Sequence, residues 1–232
     1  MHSIFRFIDD LLFPSSCIVC NKPGAMVCEA CKVTFPLASL SCPFCQTVTG
    51  GKTCERCRKS KALSGIVALF DYEHDGVKRL IVDMKYKGLF SILRAIQPEI
   101  KELIDANEHI FIKGALLIPA PIRKNSFSAR GFNQAKKILQ IISDVSGLPT
   151  ADILQFAPQV KTQHNQSKTS RWQNVDNRIT MKRLAKHIQH AIVVDDLITT
   201  GATLESCAQA LKQAGVKDVW GMTLARQKKF FT

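Results

Sequence analysis

The sequence is short of acid. Against 32 Lys and Arg it carries only 19 Asp and Glu, a formal net charge of +13 at pH 7. A deficit of that size points to phosphate-rich partners, either nucleic acid or phosphorylated small molecules. The sequence also lacks any uninterrupted apolar run of the about 18 residues that a membrane-crossing helix needs. No transmembrane segment is therefore expected. Nor does Met1 to Phe13 have the form of a cleavable leader, because Asp9 and Asp10 interrupt its apolar stretch and no small-residue cleavage site follows. Ile4, Phe5, Ile8, Leu11 and Leu12 instead fall on one helical face, and a short amphipathic helix packed on the body is expected. Its polar face lacks the basic residues that membrane-surface helices favour, and a cytoplasmic protein follows as the expectation. Two phosphate-binding signatures are missing as well: no apolar run leads into Gly-Lys-Ser/Thr, and there is no G-x-G-x-x-G. No helix-turn-helix segment is apparent.

What is abundant is cysteine, in one place. Cys17-x-x-Cys20, Cys28-x-x-Cys31, Cys42-x-x-Cys45 and Cys54-x-x-Cys57 are four C-x-x-C knuckles within 41 residues, and only Cys207 stands apart. A C-x-x-C turn presents two thiolates to one metal, and two such turns complete a tetrahedron. Eight cysteines therefore suit one or two structural Zn2+ ions. Sequential pairing of the knuckles and a cross-braced arrangement are both open. A disulfide framework is disfavoured without a secretory leader, and thioredoxin-type chemistry needs a single motif in a βαβ setting. An all-cysteine site leaves no open position for catalysis. Two loaded sites would also lower the formal charge by four, to +9.

At 232 residues with 46% hydrophobic content, the chain suits one mid-sized domain and a small one. A boundary is expected near residue 62, with 1–62 as helix plus cysteine knuckles and 63–232 as an α/β domain. Ile66 to Tyr72 is its first expected strand. Val77, Leu80, Ile81 and Met84 then mark an amphipathic helix whose other face carries Lys78, Arg79, Lys85 and Lys87. A second helical pattern from Leu89 to about Ile104 is expected to break or restart at Pro98. Gly114 to Ile118 is the next strand, stopped by Pro119-Ala120-Pro121. Residues 122–137 follow with five basic groups, among them Arg123, Lys124 and Arg130, and no acid. A loop there, on the rim where strands end, can clamp a pyrophosphate. A helix using Ile138, Leu139, Ile141, Ile142 and Val145 ends near Gly147. After a strand at 152–156, residues 158–177 are polar, basic and aperiodic, including Lys161, Lys168, Arg171 and Trp172. So long a loop suits a lid over a ligand. Trp172 among basic residues suits either docking of that lid or base stacking on single-stranded nucleic acid.

The most informative stretch is Ala191-Ile192-Val193-Val194-Asp195-Asp196-Leu197-Ile198-Thr199-Thr200-Gly201-Ala202-Thr203. The apolar run has the look of a buried parallel strand, and ligands of open α/β sheets sit at the ends of such strands. The strand is expected to close on the two acids, followed by a Thr/Gly loop and a helix whose free amides make an anion site. Asp195 and Asp196 repel phosphate. Their natural partners are the vicinal hydroxyls of a ribose, or Mg2+. Thr199, Thr200, Gly201, Ala202 and Thr203 would hold the 5-phosphate, so that one strand, loop and helix binds a ribose phosphate. This order of residues resembles the phosphoribosyl-pyrophosphate (PRPP) loop of type I phosphoribosyltransferases. Leu204, Cys207, Ala208 and Leu211 continue as a helix face, and Val219 to Leu224 is the final strand.

Taken with Tyr72-x3-Gly76, Lys85-Tyr86-x-Gly88, Pro119-x-Pro121, Arg130-Gly131-Phe132-Asn133-Gln134, Thr162-Gln163-His164 and the four knuckles, the chain resembles the ComF family of competence-associated proteins over nearly its whole length. It departs at Arg178-Ile179, where the family commonly has a small residue followed by Phe. The resemblance implies a type I phosphoribosyltransferase-like fold, a mainly parallel sheet with flanking helices, behind a double zinc ribbon. It implies handling of single-stranded DNA imported during natural transformation, in company with other proteins of the competence machinery. Under it, Asp195 and Asp196 hold the ribose, while Arg123, Arg130, Lys161 and Arg171 join the Thr199–Thr203 loop around PRPP and Mg2+. Lys85, Lys124, Lys168 and Trp172 are the expected nucleic-acid contacts. The alternative is an active Mg2+-dependent phosphoribosyltransferase with an unknown acceptor.

Overall fold

The computed structural model describes residues 16–157, 179–182 and 188–228. The helix expected at 4–12 and the polar stretch carrying Lys161, Lys168, Arg171 and Trp172 lie outside the described residues.

Four strands form the central sheet: β1 (Gly65–Asp71), β2 (Leu116–Pro119), β5 (His190–Ile198) and β6 (Asp218–Arg226). They run in the order β1-β6-β5-β2, all parallel. The apolar run of β5 is central because both its faces are covered, and Ala191 to Val194 are inaccessible to solvent. One face carries helices α3 (Asp75–Lys87), α4 (Ser91–Ala95), α5 (Gln97–Asp105) and α7 (Gln134–Ser146), which pack Val77, Leu80, Ile100 and Ile138 against Ile192 and Met222. The other face carries α8 (Ala202–Gln213), which packs Leu204, Cys207 and Leu211 against Val193 and Val219. Cys207 is thus a core residue, as its helical spacing indicates. The helix expected from Leu89 does restart where foreseen, with Pro98 in the first turn of α5.

The N-terminal knuckles, with the single-turn helices α1 (Glu29–Lys32) and α2 (Glu55–Arg58), cover the open edge of the sheet. Leu37 bridges Phe70 and Lys52 bridges Gly65, both antiparallel to β1. Ala38 N donates to Leu69 O at 3.1 Å, Asp71 N to Pro36 O at 2.8 Å, and Ile66 N to Gly51 O at 2.8 Å. The fit is tightest at Gly65, where a Cβ would lie 2.4 Å from the Trp220 ring and 2.7 Å from Gly51 O. No side chain fits between those two surfaces.

Three local expectations are corrected. The basic segment after β2 is not an open loop: α6 (Lys124–Arg130) fills it, because no proline or glycine interrupts the run until Gly131, whose φ of 76° ends the helix. The strand expected at 152–156 is shorter, β3 (Leu154–Phe156). It pairs antiparallel with β4 (Ile179–Met181) in a separate two-stranded ribbon. Third, β5 does not close on the twin acids. It runs two residues past them, because Leu197 and Ile198 still pair with Ala225 and Arg226 of β6.

Candidate functional site

The eight knuckle cysteines form two groups in sequential order, Cys17, Cys20, Cys28 and Cys31 in one and Cys42, Cys45, Cys54 and Cys57 in the other. Within each group the four sulfurs lie within 4.8 Å of one another, and all are free thiols. The groups are built alike. Cys28 N donates to Cys17 Sγ at 3.5 Å, and Cys54 N donates to Cys42 Sγ at 3.5 Å. Burial opposes ionisation of Cys17, yet the amides of Cys20, Cys28 and Val19 outweigh it and bring the thiol down to about 6. The Thr47 hydroxyl and amide bring Cys45 to about 5. Cys31 is pushed up to about 12, first by its contact with Cys28, and Cys57 to about 12, first by burial. Four thiolates this close cannot all ionise without a cation among them. Their chemistry and spacing fit a tetrahedral thiophilic ion such as Zn2+.

The second assembly is a cleft of about 260 Å3 at the C-terminal end of the sheet. β5 supplies Asp195 and Asp196, the turn into α8 supplies Thr199, and the first turn of α8 supplies Thr203. Arg123, Ser126 and Arg130 come from the segment after β2, Lys85 from α3 and Phe156 from β3. Thr200, Gly201 and Ala202 do not line the cleft; Thr200 Oγ1 accepts from Ala202 N at 3.3 Å. Lys124 belongs to α6. Lys85 is not an open surface cation: its Nζ is 3.1 Å from Asp196 Oδ1 and its side chain is 19% exposed. Asp196 Oδ2 is buried without a hydrogen-bond partner. Asp195 Oδ1 accepts from Asp196 N at 2.9 Å. The two arginines are held by aromatic rings, Arg123 over Phe156 at 4.7 Å and Arg130 over Tyr86 at 5.1 Å. The cleft thus gathers cationic side chains, paired carboxylates and hydroxyls, a set that suits an anion joined to a polyol.

Phe156, Ser126, Asn133 and Gln134 line the cleft too, and sequence reasoning did not single them out as site residues. Asn133 had a readable signal as an N-cap before an apolar helix. Its side chain accepts from Ala135 N at 2.9 Å and donates to Ala120 O at 3.0 Å, tying α7 to the cleft wall.

Burial, then the neighbouring Asp196 charge, pushes Asp195 up to about 7, against the Asp196 amide and Lys85. The folded chain keeps a proton that the unfolded chain releases near pH 4. This group therefore makes stability fall as pH rises from about 4 to about 7, and level off above that. Asp195→Asn is expected to be more stable than the parent at pH 8, by at most about 4 kcal/mol. The two should converge near pH 4, and urea unfolding at both pH values checks this.

Sheet, flanking helices and cysteine clusters define the class: an α/β protein with a parallel four-stranded sheet between helices and two four-cysteine clusters near its N-terminus. No family model matches the chain, but curated relatives align with most of it. It is 24% identical over 226 residues to the DNA utilization protein YhgH of Salmonella typhi, covering 93% of this chain and 99% of that protein. It is 27% identical over 218 residues to competence protein ComFC of Bacillus subtilis, covering 88% and 86%. Competence protein F of Haemophilus influenzae is 27% identical over 179 residues, covering 74% and 78%. Together these relatives support a ComF family protein. Among the described residues, no helix is long and apolar enough to cross a membrane.

Proposed function

We propose that the chain serves competence-associated DNA utilization, handling single-stranded DNA with the help of a ribose-phosphate site of the PRPP type. The names of its relatives support the broad role. The observation that carries the finer reading is the cleft itself, which gathers Asp195, Asp196, Thr199 and Thr203 with Arg123, Arg130 and Lys85. In this reading the two acids meet the ribose hydroxyls or a Mg2+ ion, and the loop hydroxyls meet the 5-phosphate. Arg123 and Arg130 meet the pyrophosphate. Lys124, Lys168 and Trp172 would contact the DNA strand. Other competence proteins would deliver that strand.

Calorimetry with PRPP and Mg2+ tests the site. Binding should be measurable, and Asp195→Asn combined with Asp196→Asn should abolish it. No heat from the parent protein overturns the PRPP reading. Binding of a short single strand tests the DNA role separately, and its affinity should fall steeply with added salt. No binding at low salt overturns that role.

The unpartnered oxygen of Asp196 favours a second reading, in which the same site turns over. A nucleophile would attack the anomeric carbon of PRPP and pyrophosphate would leave, helped by positioning and charge stabilisation. Pyrophosphate release in the presence of candidate acceptors distinguishes this enzyme from a binding protein.

A further inference from the structure

The second cysteine cluster is joined to the turn between β5 and α8 at three points. At Gly201, whose φ is 77°, a Cβ would lie 3.6 Å from the Phe44 ring and 3.8 Å from Pro43 O. Pro43 and Phe44 are the two residues inside the Cys42–Cys45 knuckle. At the end of β6, Arg226 is 5% exposed. Its guanidinium is bound by main-chain carbonyls at the start of the same knuckle and just before it: Nη1 donates to Ser39 O at 3.2 Å and Ser41 O at 2.7 Å, and Nη2 donates to Cys42 O at 2.8 Å. The next residue, Gln227, donates its N–H to Ile198 O at 2.9 Å, immediately before the turn. In the first turn of α8, Glu205 accepts from Ala62 N at 2.9 Å and from Leu63 N at 3.1 Å, just after the last knuckle.

The first cluster is anchored elsewhere. Lys32, beside Cys31, donates to Ala95 O at 3.1 Å and pairs with Glu99 at 3.1 Å. Ile18 and Val27 join the core on the opposite face of the sheet. The two clusters have the same chemistry, but only the second has described bonds reaching the Thr199–Thr203 turn and its flanks.

We propose that the Cys42, Cys45, Cys54 and Cys57 cluster is a positioning element for the Thr199–Thr203 turn, acting through Arg226 and Phe44. Four thiolates gathered on one ion fix the path of the Cys42–Cys45 knuckle. Its carbonyls then hold the end of β6, and its aromatic ring backs Gly201. An unloaded second cluster leaves the turn without that backing, whereas an unloaded first cluster does not. This holds whatever the turn binds, so it stands apart from the PRPP reading.

Hydrogen exchange of the full-length, zinc-loaded chain reads the coupling directly, at the amides of residues 199–205. Arg226→Met and Phe44→Ala should each speed exchange there on the order of tenfold, the loss expected when a charge-assisted or packing contact is removed. Their zinc content should stay that of the parent. Arg226→Lys, which keeps a donor for the carbonyls, should restore part of the protection. Cys42→Ser with Cys45→Ser should reproduce the rise, while Cys17→Ser with Cys20→Ser should raise exchange near Ala95 and leave 199–205 unchanged. Unaltered turn exchange in folded Arg226→Met and Phe44→Ala overturns the proposal. An equal rise on losing the first cluster does so too. Where the cysteine variants fail to fold, the Arg226 and Phe44 variants decide.

Discussion

Lys85→Met is expected to cost about 3–5 kcal/mol of stability, the usual penalty for leaving a buried charge without its partner. Asp196 has a side chain only 4% exposed, and the Lys85 ammonium at 3.1 Å is its one described ion-pair partner. Its other oxygen has no hydrogen bond to fall back on. The long stem of Lys85 is replaced well by Met, so packing changes little and the electrostatic loss dominates. Adding Asp196→Asn to Lys85→Met should recover most of the loss, because the orphaned charge is gone. Urea denaturation of the parent, the two single variants and the double variant measures the coupling. A Lys85 that serves only as a DNA contact would instead leave stability unchanged and weaken strand binding.

The second large effect is expected from metal removal. The protein should carry two equivalents of zinc, one for each group of four sulfurs. Structural zinc sites in small peptides are worth about 10–16 kcal/mol of apparent binding free energy near neutral pH. The segment from Cys17 to Cys57 has few alternatives to that energy. Its helices α1 and α2 are four residues each, too short to persist alone. Chelation should therefore release both ions and abolish the secondary structure of residues 16–62. Because binding displaces thiol protons, acidification should release zinc as well. Colorimetric zinc release together with circular dichroism checks both outcomes. One equivalent, or none, in freshly purified reduced protein would refute the two-site assignment.

Much of the sheet was legible because parallel strands buried on both faces are written as apolar runs. Ala191 to Val194 and Ile66 to Phe70 fall where such runs lie. Helix α3 was equally plain from Val77, Leu80, Ile81 and Met84. Pairing of the cysteines was not legible, since all four knuckles have the same spacing and only distance through space separates sequential from cross-braced ligation. Strand β5 was foreseen two residues short. Charge dominates the pattern at Asp195-Asp196, while the ladder to β6 that carries the strand onward is a tertiary fact. Helix α6 was hidden in a similar way, because three basic groups and no acid between Pro121 and Gly131 look like a solvated loop. Lys85 illustrates the same limit at the candidate site: on the helix it stands among surface cations, and only the packing of α3 against β5 turns it toward a carboxylate.

The covering of β1 by Leu37 and Lys52 has a practical consequence for dissecting the chain. A fragment starting at residue 63 would keep every strand of the sheet yet present the outer rim of β1 bare, with the amides of Ile66 and Asp71 deprived of their carbonyls. Such a rim is a template for any passing strand. Preparations of the isolated C-terminal portion should therefore self-associate, and their behaviour would report on that sticky margin and not on the cleft.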